Sequence, residues 1–413
     1  GPHHVAREWA DKYKGQFDDG WDAYQQRTFE RQKAMGWIPA DTKLSPRPEG
    51  MPAWEDIPDE EKPFQARLME VYAGFLEHTD VQVGKLIDEL EARGIRDNTL
   101  VIYILSDNGA SAEGIEGSVA ELNAQNGIPS TIDEHIAIAE QLGGLEEIGG
   151  PKMENMYHSA WAWAGDSPFR YTKLVAGDFG GSRTPMVISW PARIKPDDTP
   201  RTQFLHVNDV VPTIYDILDI TPPKVVDGHE QDPLDGASFV STFDDADAPE
   251  VKTTQFFDIL GHRGIYHDGW MANAFGPKAP WSAAVPDLAN WNPMEDEWEL
   301  FDIRNDYSMT NNLASEHPEK LEEMKALFME VAEENKGLPI GGATYINLNP
   351  SEIKSSSNTE WTLFEGMTRI PESEAPNVRN GNLRVDIEAE VPKKVNGVLF
   401  AMGGYAGGVS LYA

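Results

Sequence analysis

Residues 61–94 carry Met69, Tyr72, Phe75, Leu76, Val83, Leu86, Ile87 and Leu90 at three- and four-residue spacing. That periodicity predicts one long amphipathic helix, closed near Gly94. Behind it stands Thr99-Leu100-Val101-Ile102-Tyr103-Ile104-Leu105, a short apolar run rich in β-branched residues. Such a run predicts a strand buried on both faces, as in a parallel sheet. A helix feeding a buried strand is the pattern of an α/β chain, and it narrows the folds available more than any other feature here.

The flanking segments extend that reading. Residues 6–60 are polar with many Trp, Pro and Asp, and predict short helices and an extended surface segment at Lys43-Leu44-Ser45-Pro46-Arg47-Pro48. Residues 109–160 lack strong strand signals and read as a long surface excursion. A second buried strand is expected at Pro185-Met186-Val187-Ile188-Ser189-Trp190, and a helix at 210–220 with Pro212 in its first turn. The segments 256–260, 264–274 and 298–303 alternate as antiparallel strands do, and 318–334 predicts an amphipathic helix. After Leu338-Pro339-Ile340-Gly341-Gly342 the chain turns to short strands separated by Gly and Pro, at 362–370, 383–391, 398–402 and 409–412. The expected division is 1–245, an α/β part; 246–340, a small antiparallel sheet with a helix; and 341–413, the start of an all-β module.

Charge and composition exclude several function classes. The 413 residues hold 69 acidic and 34 basic side chains, a formal charge of −35, and no cysteine. Such a surface repels nucleic acid and anionic lipid. An anionic substrate needs a locally positive pocket against that field. Thiolate metal sites and disulfides are excluded within this segment. No apolar stretch is long enough to span a membrane. The opening Gly1-Pro2-His3-His4 and the strand-like ending Gly408-Val409-Ser410-Leu411-Tyr412-Ala413 both read as cuts.

The chemistry concentrates at Ser106-Asp107-Asn108-Gly109, directly after the expected strand. Ligands of open α/β sheets bind at strand carboxyl ends. Asp107 and Asn108 offer two hard oxygen ligands there, of the kind Ca²⁺ and Mg²⁺ prefer. Asp-Asn-Gly is equally a common turn tripeptide. Lys173 stands shortly before Gly180-Gly181, where paired glycines permit close backbone approach, and a compact cation there can hold an oxyanion. Arg183 reads as an oxyanion contact or a salt bridge. Among the histidines, His158 sits beside Trp161 and Trp163, which either line a pocket or pack. His206 reads as buried or capping, and His262 and His267 as surface residues flanking a hairpin. Zincin and serine-hydrolase motifs are absent.

Taken together, these segments carry a resemblance. A strand ending in Ser106-Asp107-Asn108-Gly109, then Lys173, then Gly180-Gly181-Ser182-Arg183-Thr184-Pro185 and a strand closing on Trp190-Pro191, is similar to the sulfatase family of the alkaline-phosphatase-like superfamily. Asn208-Asp209-Val210-Val211-Pro212, Gly236-Ala237-Ser238 and Trp298-Glu299-Leu300-Phe301-Asp302 agree. The resemblance runs to about residue 340, and the tail resembles the C-terminal extension of bacterial arylsulfatases. It implies an alkaline-phosphatase-like sheet with helices on both faces, partial in this chain. It also implies a Ca²⁺-assisted hydrolase of sulfate esters whose nucleophile is a formylglycine, made from Cys or Ser in a Cys/Ser-x-Pro-x-Arg motif.

By the same resemblance, Asp107 and Asn108 are metal ligands and Lys173 contacts the sulfate. Gly1-Pro2 aligns with the end of the family's His-x-Pro segment, so its His falls one residue upstream; His3 and His4 are not assigned. The nucleophile region and two further Asp ligands are expected to lie outside this chain. The substrate class implied is a small-molecule or carbohydrate sulfate ester. The competing readings are a phosphonate or phosphate ester hydrolase of the same superfamily and a catalytically inactive carbohydrate-binding relative.

Overall fold

The computed structural model describes residues 2–121, 130–282, 290–341, 359–364, 366–368, 370, 375–376, 383–390, 396–404 and 407–412. Two compact units separate, 1–348 and 349–413.

The first unit opens on a one-turn helix, Arg7–Ala10, and a longer one, Gly20–Ala34. The long helix foreseen from periodicity forms as Lys62–Ala92, with Pro63 in its first turn where no N–H is needed. Its N-terminal part is buried all round: every residue from Phe64 to Val71 is enclosed, including Gln65, Arg67 and Glu70. Beyond Gly74 the helix emerges, and Leu86 is 67% exposed. Gly74 is where it crosses the first helix, since a Cβ there would lie 2.7 Å from the backbone of Trp9 and Ala10.

Strand β1, Val101–Ile104, pairs with β2, Met186–Ser189, Ile104 standing opposite Met186. The pairing is antiparallel, and the residues are half-buried, with Val187 63% exposed. This corrects the expectation of a parallel strand covered on both faces. An apolar run specifies burial potential, but its direction depends on the neighbour it finds. Among the described residues these strands find only each other. The fold is mixed α/β with small antiparallel sheets, and no central sheet with helices on both faces is present among the described residues.

Residues 109–160 also depart from expectation. They supply a helix at Ile132–Leu142, capped by Thr131, and core residues Ala112, Val119, Ile148, Met153, Met156 and Tyr157. The following helix, Ser159–Gly165, is enclosed almost throughout. Trp161 and Trp163 are 1% and 2% exposed, so both are packing residues. Trp161 meets Trp21, Phe17 and Trp54 edge-on or tilted, and its Nε1–H donates to the Gln65 carbonyl at 3.1 Å. Burying aromatics of this size gives the core much of its stabilisation; the Trp161 N–H is satisfied, whereas the buried Trp163 N–H has no partner among the described residues. Residues 122–129 of the expected excursion lie outside the described residues.

Helix Val210–Ile217 follows β2, with Pro212 in its first turn as expected. The two-residue strands β3, Val225–Val226, and β4, His229–Glu230, form a small hairpin. Then comes a four-stranded antiparallel meander: β5 Thr254–Ile259, β6 His262–His267, β7 Trp270–Ala274 and β8 Trp298–Asp302. Successive side chains point to opposite faces. Ile265, Ala272 and Leu300 therefore meet Met324, Phe328 and Ala332 of the helix Pro318–Glu334. Tyr266, Met271 and Phe301 take the other face with Phe179. His262 was expected at the surface but is 2% exposed. Its Nε2 bonds the Lys278 carbonyl at 2.9 Å and its Nδ1 accepts from Gly276 N–H.

In the second unit, β9 Val398–Gly404 and β10 Gly407–Tyr412 form an antiparallel pair. The described parts of 362–370 and 383–390 hold no strand. The remainder of those expected strands, Gly342, and Ala413 lie outside the described residues.

His158 illustrates how this core responds to acid. Its ring stacks on Trp21 at 4.6 Å, and burial pushes the imidazole down to about 3 from 6.5. Between those values the unfolded chain binds a proton that the folded chain does not. Stability is therefore whole above pH 6.5 and falls as pH drops toward 3, by up to about 1.4 kcal/mol per unit. Urea unfolding between pH 7 and 4 should show a shallower acid slope in His158→Gln than in the parent chain. Equal slopes would exclude His158 as the source.

Candidate functional site

The Ser106-Asp107-Asn108-Gly109 segment forms a tight turn off the end of β1. Ser106 carries the left-handed conformation, φ 79°, that L-residues seldom adopt. Its hydroxyl donates to the Asn108 carbonyl at 2.8 Å and reaches Asp107 Oδ1 at 3.4 Å. Gly109 is not among the residues with positive φ. It instead permits close approach, for a Cβ at 109 would fall 1.7 Å from the Gly180 carbonyl oxygen.

That approach is one of several ties joining the turn to the Lys173 segment. Gly109 N–H donates to the Gly181 carbonyl at 3.0 Å, and Lys173 N–H to the Ala110 carbonyl at 3.0 Å. Both oxygens of Asp166 accept from Ala110 N–H at 3.0 Å. Burial pushes the Asp166 carboxyl well above the usual carboxylate range, against the pull of that N–H. The Lys173 segment is itself anchored to the meander. Arg170 holds Asp178 through Nε at 2.6 Å and also grips Glu299 of β8. Asn273 of β7 donates to the Gly177 carbonyl at 2.8 Å and to Asp178 at 3.1 Å. Burial raises Asp178 to about 6, with Arg170 opposing.

Asp107 is exposed and Asn108 half-buried. Asp107 has no cationic partner among the described residues. Asn108 Nδ2 donates to the Gly109 carbonyl at 2.8 Å, which leaves its Oδ1 as an acceptor. A free carboxylate and a free amide oxygen on one turn fit a hard cation. Calcium takes six to eight oxygens, and among the described residues no group of three His, Cys, Asp or Glu is placed to hold a metal. Asp107 and Asn108 by themselves do not complete such a set.

Lys173 Nζ donates to Glu113 Oε2 at 2.8 Å, and the Ser111 hydroxyl donates to the same oxygen at 2.7 Å. Burial works to raise Glu113, yet these two donors hold it below the usual range. Glu113 and Asp166 were not foreseen, and no local motif marks them. They meet their partners across 60 and 56 residues. Arg183 forms no salt bridge among the described residues and lies over Tyr307, Phe169 and Phe179, 4.4–5.3 Å from the ring centres. His206 caps the turn before Val210–Ile217, as expected.

His3 is buried between Tyr72 and Tyr157, 4.8 Å from each ring. Burial, with the charges of the N-terminus and His4, pushes it down to about 3. His4 Nε2 is occupied by the Met153 carbonyl at 2.7 Å.

The nucleophile pattern, expected outside this chain, has one match within it. A Ser-x-Pro-x-Arg string does occur, at Ser189-Trp190-Pro191-Ala192-Arg193. Ser189 stands opposite Val101, however, at the end of the strand pair remote from Asp107. The whole length of β1, about 10 Å of strand, and the turn lie between them. The Ser189 hydroxyl is also engaged by the Arg96 guanidinium. It does not join this site.

The family model that matches the chain is that of the sulfatases, over residues 1–220. The chain belongs to the sulfatase family. It is 32% identical over 331 residues to an uncharacterized sulfatase of Schizosaccharomyces pombe, covering 78% of this chain and 54% of that one. To an arylsulfatase of Klebsiella aerogenes it is 30% identical over 224 residues, 54% of this chain and 45% of that one. The chain thus spans about half the length of these curated relatives. Among solved structures, one from work on glycosaminoglycan metabolism by Bacteroides thetaiotaomicron aligns at a TM-score of 0.41 and 18% identity, covering 76% of this chain and 54% of that one. A likeness that loose carries no argument.

Proposed function

We propose that this sulfatase hydrolyses aryl sulfate esters, with Asp107 and Asn108 as Ca²⁺ ligands and Lys173 as a sulfate contact. The observation that carries the reading is the stapling of the Asp107-Asn108 turn to the Lys173 segment. Main-chain bonds from Gly109 to Gly181 and from Lys173 to Ala110 support it by joining the two segments. Bound Ca²⁺ would neutralise charge on the sulfate oxygens.

Glu113 occupies one of the three Lys173 donors and aims the side chain. The other two donors remain for an oxyanion or the leaving oxygen, where a fixed cation contributes most as charge develops. Arg170, Asp178 and Asn273 fix the main chain between Lys173 and the meander, so the lysine is held by a framework rather than a loose loop.

Ser189 is remote and cysteine is absent, so the nucleophile belongs to residues other than these. The family resemblance assigns it to a formylglycine. The purified 413-residue chain is accordingly expected to release no p-nitrophenol from p-nitrophenyl sulfate. The full-length protein is expected to do so faster than from bis-p-nitrophenyl phosphate. Turnover by the chain alone, or a preference for the phosphodiester, would overturn the assignment.

A further inference from the structure

Asn108 is followed by glycine, and that pairing is chemically reactive. Four Asn-Gly pairs stand in the chain: Asn108-Gly109, Asn126-Gly127, Asn380-Gly381 and Asn396-Gly397. The middle two lie outside the described residues. A glycine has no Cβ, so its main-chain nitrogen reaches the preceding side-chain amide with little steric hindrance. The nitrogen attacks Asn Cγ, a new N–C bond closes a cyclic imide, and the Cγ–Nδ2 bond breaks. Nδ2 leaves as ammonia with the proton of the glycine amide. Water then opens the imide at either carbonyl, leaving aspartate or isoaspartate.

Packing dictates the reactive residue at 109. A Cβ there would lie 1.7 Å from the Gly180 carbonyl oxygen, so only glycine fits. The same packing holds the reagents apart. Gly109 is buried, and its N–H donates to the Gly181 carbonyl at 3.0 Å. The proton that must leave is therefore committed to an acceptor, and turning the peptide toward Cγ breaks that bond. Asn108 Nδ2, the leaving group, donates to the Gly109 carbonyl at 2.8 Å. The Asn108 carbonyl accepts from the Ser106 hydroxyl at 2.8 Å, which fixes the other side of the residue. On the C-terminal side, Ala110 N–H donates to Asp166 and the Ala110 carbonyl accepts from Lys173 N–H. Asn396-Gly397 makes the contrast. Both residues are exposed just before β9, and nothing lies within 4 Å of the position a Gly397 Cβ would take.

We propose that Asn108 is a latent deamidation site held in check by the Lys173 segment, reacting only when the turn undocks from Gly180-Gly181. The segment then has a second task besides carrying the lysine: it guards a residue that the packing has made vulnerable. Undocking long enough for imide closure turns a neutral amide oxygen into a carboxylate, beside the charge of Asp107. The isoaspartate product also adds a methylene to the main chain, and the turn no longer fits against Gly180. The chemistry needs only water, and it holds whether or not the turn binds a metal.

The 413-residue chain would be incubated in mildly alkaline buffer made with heavy-oxygen water, folded and in concentrated urea. Peptide mass spectrometry then follows the label entering each Asn-Gly pair. Asn108 should react about thirty-fold more slowly in the folded chain than in urea, the population of a turn that opens by breaking the Gly109–Gly181 and Lys173–Ala110 bonds. Asn396 should differ little between the two conditions. Asp166→Ala, which takes the acceptor from Ala110 N–H, should speed Asn108 about five-fold and leave Asn396 unchanged. Should that variant fail to fold, the comparison of folded and unfolded parent chain decides alone. An Asn108 that reacts as fast folded as unfolded would overturn the proposal. So would an Asn108 that lags Asn396 equally in urea, because sequence rather than docking would then protect it. A folded Asp166→Ala chain with the parent rate at Asn108 would do the same.

Discussion

Asp107→Ala, placed in the full-length sulfatase, should lower kcat/KM for p-nitrophenyl sulfate about a thousand-fold, the scale of losing a principal charge-stabilising element. Ca²⁺ affinity measured by titration calorimetry should fall in parallel. Asp107 supplies the single negative charge of the turn, so on the proposed reading its loss removes both a ligand and the field that would hold a divalent ion. Asn108→Ala removes a neutral oxygen and should cost less in both measurements. The fold is not at stake. Asp107 is exposed and holds no bond tighter than the 3.4 Å contact with Ser106, and changes at such positions shift stability by about 0.5 kcal/mol or less. A lost activity with an unchanged melting temperature therefore reports on the site. Unchanged calcium affinity would return Asp107-Asn108-Gly109 to the status of a turn.

Much of this was legible in the sequence wherever a segment carried its own period. The helix Pro318–Glu334 and the meander strands follow directly from side-chain alternation, because each has one apolar face and a partner close in the chain. The region 109–160 was not legible for the opposite reason. Its buried residues are Ala, Met and Trp scattered between turns, and they become a core when the helix Lys62–Ala92 supplies the other half. Strand direction was likewise out of reach, since Val101–Ile104 would suit either neighbour. The site divides in the same way. Asp107, Asn108 and Lys173 stand in recognisable motifs. Glu113, Asp166 and Glu299 act through partners 56 to 129 residues away and carry no local mark. His262 was misjudged because flanking a hairpin says nothing about what covers it; the Lys278 segment does.

Gly109→Ala should be the most damaging added methyl among the described glycines. The added Cβ would lie 1.7 Å from the Gly180 carbonyl oxygen, 2.7 Å from its carbon and 3.2 Å from Asp166 Oδ2. Gly180 cannot retreat, because a Cβ on its own far side would stand 2.1 Å from the Arg170 carbonyl oxygen and 2.5 Å from that of Tyr171. Three main chains are thus layered at a spacing that glycine alone allows, and the outermost is pinned by the Arg170 ion pairs. Forced apart, the layers lose the Gly109–Gly181 and Lys173–Ala110 bonds, which join the Asp107-Asn108 turn to the Lys173 segment. Overpacking of this kind costs about 3 kcal/mol, a fall in melting temperature of roughly 4 °C at the unfolding entropy expected for a unit of this size. Gly84→Ala is the control, for nothing lies within 4 Å of its Cβ and it sits inside the long helix. That change should stabilise by up to about 1 kcal/mol. Scanning calorimetry on the two variants separates the cases: a Gly109→Ala protein that melts with the parent would mean that the turn and the Lys173 segment are not in contact, and the site assembled from them would fall with it.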